Sequence, residues 1–284
     1  MSKSDEAGPG AFPSKDIVLG SFMLPFSHFG LYLRSAWLSL AAFVAASLVI
    51  TSILPLPPAP PEGNDLGQLI EYMTAPGGLL EVLAYEIVSL VLLVPAITIW
   101  IRLTVFGPPE DGRFPLLSLG GAEVRYLSAY VLMALMSLGA MIGVMIAAIL
   151  AVRILSAIIG MLAGGVGTAL MNLTSIAGFA LGLAAFVYVT SRFMPALGAT
   201  ALGDAFDVKR GWAETKPQAW PLFWSLVSFA GILFLAQLAL MIGFGMVLPS
   251  GVWLLGGAIR AAIQALGILL ACAYIGRVYA YFRT

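Results

Sequence analysis

"YLSAYVLMALMSLGAMIGVMIAAILAV", residues 126–152, runs for 27 residues without a charge between Arg125 and Arg153. As a helix rising about 1.5 Å per residue it would cover about 40 Å, more than the roughly 30 Å of a bilayer's hydrocarbon core. In lipid every backbone N–H and C=O must find its partner inside the structure, which leaves helices or closed barrels. The run is rich in Ala, Leu, Met and Gly and lacks the two-residue alternation of a barrel strand, so it predicts a transmembrane helix.

The same signature recurs along the chain. Spans are expected at about 31–54, 80–104, 127–151, 174–195, 221–247 and 252–277. Of the 284 residues, 61% are hydrophobic and 10% charged. Soluble domains are about half apolar and a quarter charged. The expectation is therefore an all-α, polytopic membrane helical bundle. Its six transmembrane helices form three hairpins, at about 31–104, 127–195 and 221–277, within one integral membrane domain over 16–284. Residues 1–15, rich in Gly, Pro and Ser, read as a mobile tail. The first thirty residues carry Asp5, Glu6 and Asp16 and no short apolar core with a small-residue cleavage site, so no signal peptide is expected.

Orientation follows from the 14 basic residues. With both termini in the cytoplasm, Lys3, Lys15, Arg34, Arg102, Arg113, Arg125, Arg192, Lys209, Arg210, Lys216, Arg277 and Arg283 lie inside, and only Arg153 and Arg260 outside. Lys and Arg positions set topology in this way. The uncharged segment 154–173 competes as a seventh span. Since Arg125 and Arg192 both read as cytoplasmic, an even number of crossings separates them, and two spans plus a re-entrant or interfacial piece is the expectation.

Each returning helix ends on an arginine, in "WIRLTVF" (Arg102), "TSRFMPA" (Arg192) and "IGRVYAY" (Arg277), spaced 90 and 85 residues apart. "DIVLGSF" before the first span and "DVKRGWA" before the fifth each place an Asp four residues ahead of a Gly, at Asp16–Gly20 and Asp207–Gly211. Two readings stand side by side: an internal repeat of three hairpins, or topology alone placing Arg at every cytoplasmic helix end.

The charged loop after the fourth span predicts a short helix over 208–216, capped by Asp207 and ended by Pro217. Val208, Trp212, Thr215 and Ala219 would share one stripe, and Lys209, Arg210, Glu214 and Lys216 would point away. Such a helix lies in the headgroup plane. Lys209, Arg210, Trp212, Lys216 and Trp220 are thus candidate interfacial contacts for lipid or a partner. The segment from Asp16 to Trp37 is expected to be amphipathic in the same manner, with His28, the only histidine, at the surface.

"SRFMPALGATALGD" followed by "GWAETKPQAWPLFW" resembles a group of bacterial six-helix inner-membrane proteins. The group includes YciC-like proteins and the membrane domain fused to some glycerophosphodiester phosphodiesterases. The likeness rests on Arg192, Pro195, Gly203, Gly211, Trp212 and Trp220 and covers the last third of the chain. It implies a bacterial inner-membrane location. The group has no agreed activity, and the soluble phosphodiesterase domain has no counterpart in this sequence, so no catalytic residue carries over.

Glu86 in the second span and Arg260 in the sixth fall within the outer half of the bilayer, where an isolated charge is costly. They are expected to face the bundle interior and pair, with Tyr85 and Gln264 nearby. Such a pair either fixes helix register or serves as a proton or anion site; the remaining alternative is that the side chains snorkel to the outer surface. Small-xxx-small motifs, Gly139/Gly143 and Gly178/Gly182, predict close helix approach. No catalytic, cofactor or metal site is readable: one His and one Cys cannot build a His/Cys metal centre. No His-bearing triad is supported. The zero net charge recruits no nucleic acid. Two functions remain. One is a non-enzymatic subunit that scaffolds, assembles or regulates a membrane complex, with lipids and other membrane proteins or further copies of itself as partners. The other is a transporter or lipid-handling permease built on the Glu86/Arg260 pair.

Overall fold

The computed structural model describes residues 12–53, 76–110, 120–162, 167–247 and 253–283, with side chains over 12–50, 87–110, 120–154, 177–244 and 255–283. Among these residues the chain is helical and has no strand. The helices are α1 (Ser14–Ser27), α2 (Phe29–Ile53), α3 (Pro76–Phe106), α4 (Gly121–Leu162), α5 (Gly167–Ala201), α6 (Val208–Thr215), α7 (Ala219–Val247) and α8 (Trp253–Arg283). A single 3-10 turn, Lys216–Gln218, joins α6 to α7. Six helices, α2, α3, α4, α5, α7 and α8, are long and apolar enough to cross a membrane. The protein is an all-α, multi-pass membrane bundle.

The apolar segment 154–173 is not a separate element. α4 continues through it to Leu162 and α5 begins at Gly167, so the expected re-entrant or interfacial piece is replaced by the ends of two helices. Nothing in its sequence breaks a helix before Leu162, and the Gly-rich stretch that follows lies outside the described residues. At about 1.5 Å per residue, the 42 residues of α4 measure about 63 Å, twice the hydrocarbon thickness. Two crossings between Arg125 and Arg192 remain.

The returning helices α3, α5 and α8 form an inner triad. In α3 and α8, 56% of the most apolar window is buried, against 6% in α4 and 11% in α7. The triad is tightest at its arginine-bearing end. A Cβ added to Gly276 of α8 would stand 2.8 Å from Thr104 of α3, and one added to Gly198 of α5 would stand 2.7 Å from Tyr279 of α8. Arg102 of α3 donates from Nε to the Ala201 carbonyl of α5 at 2.9 Å, closing the third side. Within this frame sits a core of Leu93, Trp100, Ile101, Phe193, Leu197 and Leu269. Pro95 lies inside α3 without ending it, and Thr98 returns its hydroxyl to the Pro95 carbonyl at 3.0 Å.

Around the triad the outgoing helices follow a cyclic rule. Each packs on the returning helix of the hairpin before it: α2 on α8, α4 on α3, α7 on α5. Each also meets its own hairpin partner, extensively for α2–α3 and α4–α5, and for α7–α8 through Phe229 stacked on Tyr274 and the Tyr274 hydroxyl donating to Ser225 at 3.1 Å. α4 and α5 are antiparallel and close because Gly182 leaves room for Met145 and Gly178 for Ala148.

Two expectations about the amino-terminal region are corrected. Phe12 is buried and meets Tyr281 edge-on with ring centroids 4.9 Å apart, so the end of the supposed tail is anchored. α1 is not two-faced as expected: it buries Ile17, Val18, Ser21 and Pro25, yet its outer side exposes Leu19, Met23 and Phe26.

Replacing Gly276 with Leu is expected to force α3 from α8 and cost about 1–3 kcal/mol, read as a lowered Tm in detergent. Gly139→Leu, whose Cβ would meet nothing within 4 Å, is expected to stay within about 0.5 kcal/mol of the unaltered protein.

Candidate functional site

The charged loop folds as a short helix held to the triad by a buried arginine. Asp207 caps α6, its carboxylate accepting from the Arg210 backbone N–H at 3.0 Å. α6 ends at Thr215, and Pro217 sits inside the 3-10 turn that follows. Gly211 and Thr215 face α5; the Gly211 Cα is so close that an added Cβ would lie 3.0 Å from the Ala196 Cβ. Into this seam comes Arg192, 2% exposed. Its Nη2 donates to the Trp212 carbonyl, and its guanidinium lies over the Trp212 ring, 4.3 Å from the centroid. Thr215 adds its hydroxyl to the Gly211 carbonyl at 2.7 Å.

A second clasp of the same design joins the two ends of the chain. The guanidinium of Arg277 on α8 occupies the space where a Gly20 side chain on α1 would be, and its Nη1 donates to the Asp16 carbonyl at 3.4 Å. In both arginines Nε is buried and lacks a hydrogen-bond partner. α1 is therefore held on α8 as α6 is held on α5. The Asp-x-x-x-Gly spacing and the helix-end arginines, noticed separately in the sequence, are the two halves of one contact. Sequence reasoning named these arginines as topology marks and missed the burial of Arg192 and the contacts of both.

The candidate contacts distribute around α6. Lys209 and Lys216 are exposed. Arg210 pairs with Glu214 at 2.6 Å, and that charged hydrogen bond raises the guanidinium further above its ordinary pKa. Trp212 is half-exposed, not turned fully into lipid as the stripe predicted, because Arg192 holds its other face. Trp220 is exposed and packs on Tyr188 and Phe223, each with ring centroids 5.7 Å away. With Trp224 they make an aromatic belt at one level of the bundle, the side-chain type that favours a membrane–water boundary.

Behind α6 a polar recess of about 460 Å³ opens between the ends of α5 and α8. Asp204, Asp207, Arg210, Glu214 and Arg283 line it, and Arg283 reaches the Asp204 carboxylate at 3.4 Å. Its charges are largely mutual. Among the described residues no group of three His, Cys, Asp or Glu stands together as metal ligands. Cys272 is buried in the core.

The expected Glu86/Arg260 pair lies outside the described residues on the Glu86 side. Arg260 is exposed on α8. One turn further into the bundle, Gln264 donates from Nε2 to the Ser89 hydroxyl at 3.4 Å, so α3 and α8 are in polar contact next to that level. Compared with known proteins, the chain matches no family model, no curated protein and no solved structure.

Removing the Arg192 guanidinium as Arg192→Met is expected to lose a charged hydrogen bond and a desolvated cation–π contact, together on the order of 3 kcal/mol. Amide exchange across residues 208–215 should then accelerate with the spans still protected. Arg192→Lys should not restore protection, because an ammonium cannot stack flat on Trp212 while donating sideways.

Proposed function

We propose that this protein is a non-enzymatic subunit of a bacterial inner-membrane complex, which it scaffolds, assembles or regulates, with both termini in the cytoplasm. The observation that carries the reading is the contrast between the inner triad and α4. The triad is filled with interlocked side chains. α4 buries only 6% of its apolar window and leaves Gly139 and Gly143 with nothing within 4 Å. Small residues repeated every four positions let a second helix approach closely, and the partner motif Gly178/Gly182 is already used inside the α4–α5 hairpin. The face of α4 is thus equipped for another membrane helix, of this chain or a different one. The cytoplasmic assignment is supported by Arg102, Arg192 and Arg277 gathering at the one end where α3, α5 and α8 converge. The resemblance to six-helix inner-membrane proteins, carried by Arg192, Pro195, Gly203, Gly211, Trp212 and Trp220, agrees with it. In the same reading Lys209, Arg210 and Lys216 present cations to anionic headgroups, where each contributes about 1 kcal/mol before its neighbouring acids offset part of it.

A lipid-handling role is the second reading, favoured by one observation: an apolar groove open to the side of the bundle.

Cysteine placed at Gly139 or Gly143 is expected to crosslink, in native membranes, to one defined partner or to a second copy. Gly143→Leu should abolish co-purification of that partner while leaving the protein's own Tm unchanged. Crosslinks scattered over many proteins, or a partner retained by Gly143→Leu, would remove the basis for the subunit reading.

A further inference from the structure

A rotation of about 100° per residue sorts the residues of α6 onto three sides. Gly211 and Thr215 are buried in the seam with α5. Asp207, Arg210 and Glu214 line the polar recess. Lys209, Ala213 and Lys216 are exposed on the outward side, with half-exposed Trp212 between them and the seam.

These sides have an order along the bundle. Trp212 meets Tyr188 edge-on, with ring centroids 6.2 Å apart, and Tyr188 lies one turn deeper in the fourth span than Arg192. The recess opens the other way, toward Asp204 and Arg283 at the ends of α5 and α8. The indole is therefore on the hydrocarbon side of α6 and the carboxylates on the water side. The two lysines lie between, where a tryptophan belt marks the membrane boundary.

The sorting leaves the lysines' charge unopposed. All three acids between residues 204 and 216, Asp204, Asp207 and Glu214, line the recess. The salt bridges among the described residues, Arg210 with Glu214 and Arg283 with Asp204, include neither Lys209 nor Lys216. The outward side thus offers two ammonium groups and no carboxylate. Seven residues apart, the lysines are about 10 Å from each other along the helix, and Ala213 between them projects only a methyl group. Two flexible four-carbon stems can bring both ammonium groups to one phosphate across that gap.

We propose that Lys209 and Lys216, across Ala213 and beside Trp212, form a site for the phosphate of an anionic phospholipid. The inference rests on the reading above that α6 lies at the headgroup level, and it names the lipid that α6 meets there. A zwitterionic headgroup brings an ammonium of its own against the lysines, so a headgroup with net negative charge fits the site better. The earlier reading is also narrowed: Arg210, held by Glu214 on the recess side at 2.6 Å, takes no part.

The test places the full chain in nanodiscs of equal parts phosphatidylcholine and phosphatidylglycerol and counts, by native mass spectrometry, the lipids that stay bound when the disc is stripped. The two lysines together should favour phosphatidylglycerol about thirtyfold. Lys209→Gln combined with Lys216→Gln should bring the ratio close to one. Arginine at both positions, which keeps the charge, should retain the preference, and so should Arg210→Gln. If the double glutamine variant loosens α6, seen as faster amide exchange over 208–215, Lys209→Gln alone is scored, with the preference expected to fall to about fivefold. Inorganic phosphate, matched in ionic strength to a chloride control, should not displace the lipid. Equal retention of the two lipids would overturn the site. So would a preference that survives loss of both lysines, that disappears with Arg210→Gln, or that yields to inorganic phosphate. None of these outcomes bears on the crosslinks at Gly139 and Gly143, so the subunit reading stands or falls separately.

Discussion

A guanidinium at the end of a spanning helix cannot stay in hydrocarbon without partners, and this bundle answers that constraint three times at one end. Arg102 is tied to a carbonyl of the neighbouring returning helix, Arg192 to the carbonyl and ring of Trp212, and Arg277 to the backbone of α1. Placing a cation at the centre of a bilayer costs at least about 2.5–3.5 kcal/mol; at the boundary the same group can be a joint. Each joint draws a second element onto the triad. Each joint adds a directional contact to the apolar packing of its helix, that of α1 being Ile17 and Val18 against Leu222, Leu226 and Tyr274. The glycines at 20 and 211 are what let the contact close, since a side chain at either would occupy the space the arginine or the facing helix needs.

The two clasps also explain how a linear chain makes a closed ring. Arg192 meets a helix 20 residues further on, whereas Arg277 meets one more than 250 residues earlier. α1 fills, beside the last hairpin, a position on α8 comparable to that of α6 on α5. The burial of Phe12 against Tyr281 and Phe282 then follows, because it lies where the ring closes. Closing the longer loop costs more chain entropy, though the cost grows only slowly with length, and α1 buries Ile17 and Val18 beside the contact.

Much of this was legible in the residues, for reasons that can be stated. Length of apolar run is a direct measure of what can span a bilayer, so the six long helices and their approximate positions follow from hydropathy. Asp207 and Pro217 bound α6 because a cap and a missing N–H act locally. The fate of 154–173 was misjudged for the opposite reason: apolar residues are equally at home in a re-entrant piece and in the extension of a helix, and periodicity does not separate them. The faces of α1 were misjudged because the neighbours that decide what counts as an inner face, α7 and α8, come from the far end of the chain. The groove leaves no trace in the sequence, since an apolar residue facing lipid, a partner or a cleft looks the same. Only the failure of α7 to stay against α8 as far as Phe244 and Ile259 reveals it.

That failure joins the inner and outer halves of the architecture. The triad is built of close approaches that tolerate little change, at Gly276 with Thr104 and Gly198 with Tyr279. The outgoing helices differ from one another: α2 is held on both sides, α4 is held by α5 and by α3 near its first turns and is otherwise bare, α7 is held by α5, by α1 and by α8 around Tyr274 but parts from α8 toward Phe244. A bundle whose outer helices had only to stabilise the inner three would be expected to repeat the best of these arrangements. Instead the one with most surface left over carries the unused glycine pair, and the one displaced from its partner borders the apolar groove. Variation in an outer layer is cheapest where the core does not depend on it. The faces toward which α4 and α7 depart are therefore the ones on which the packing of the inner three helices makes the fewest demands.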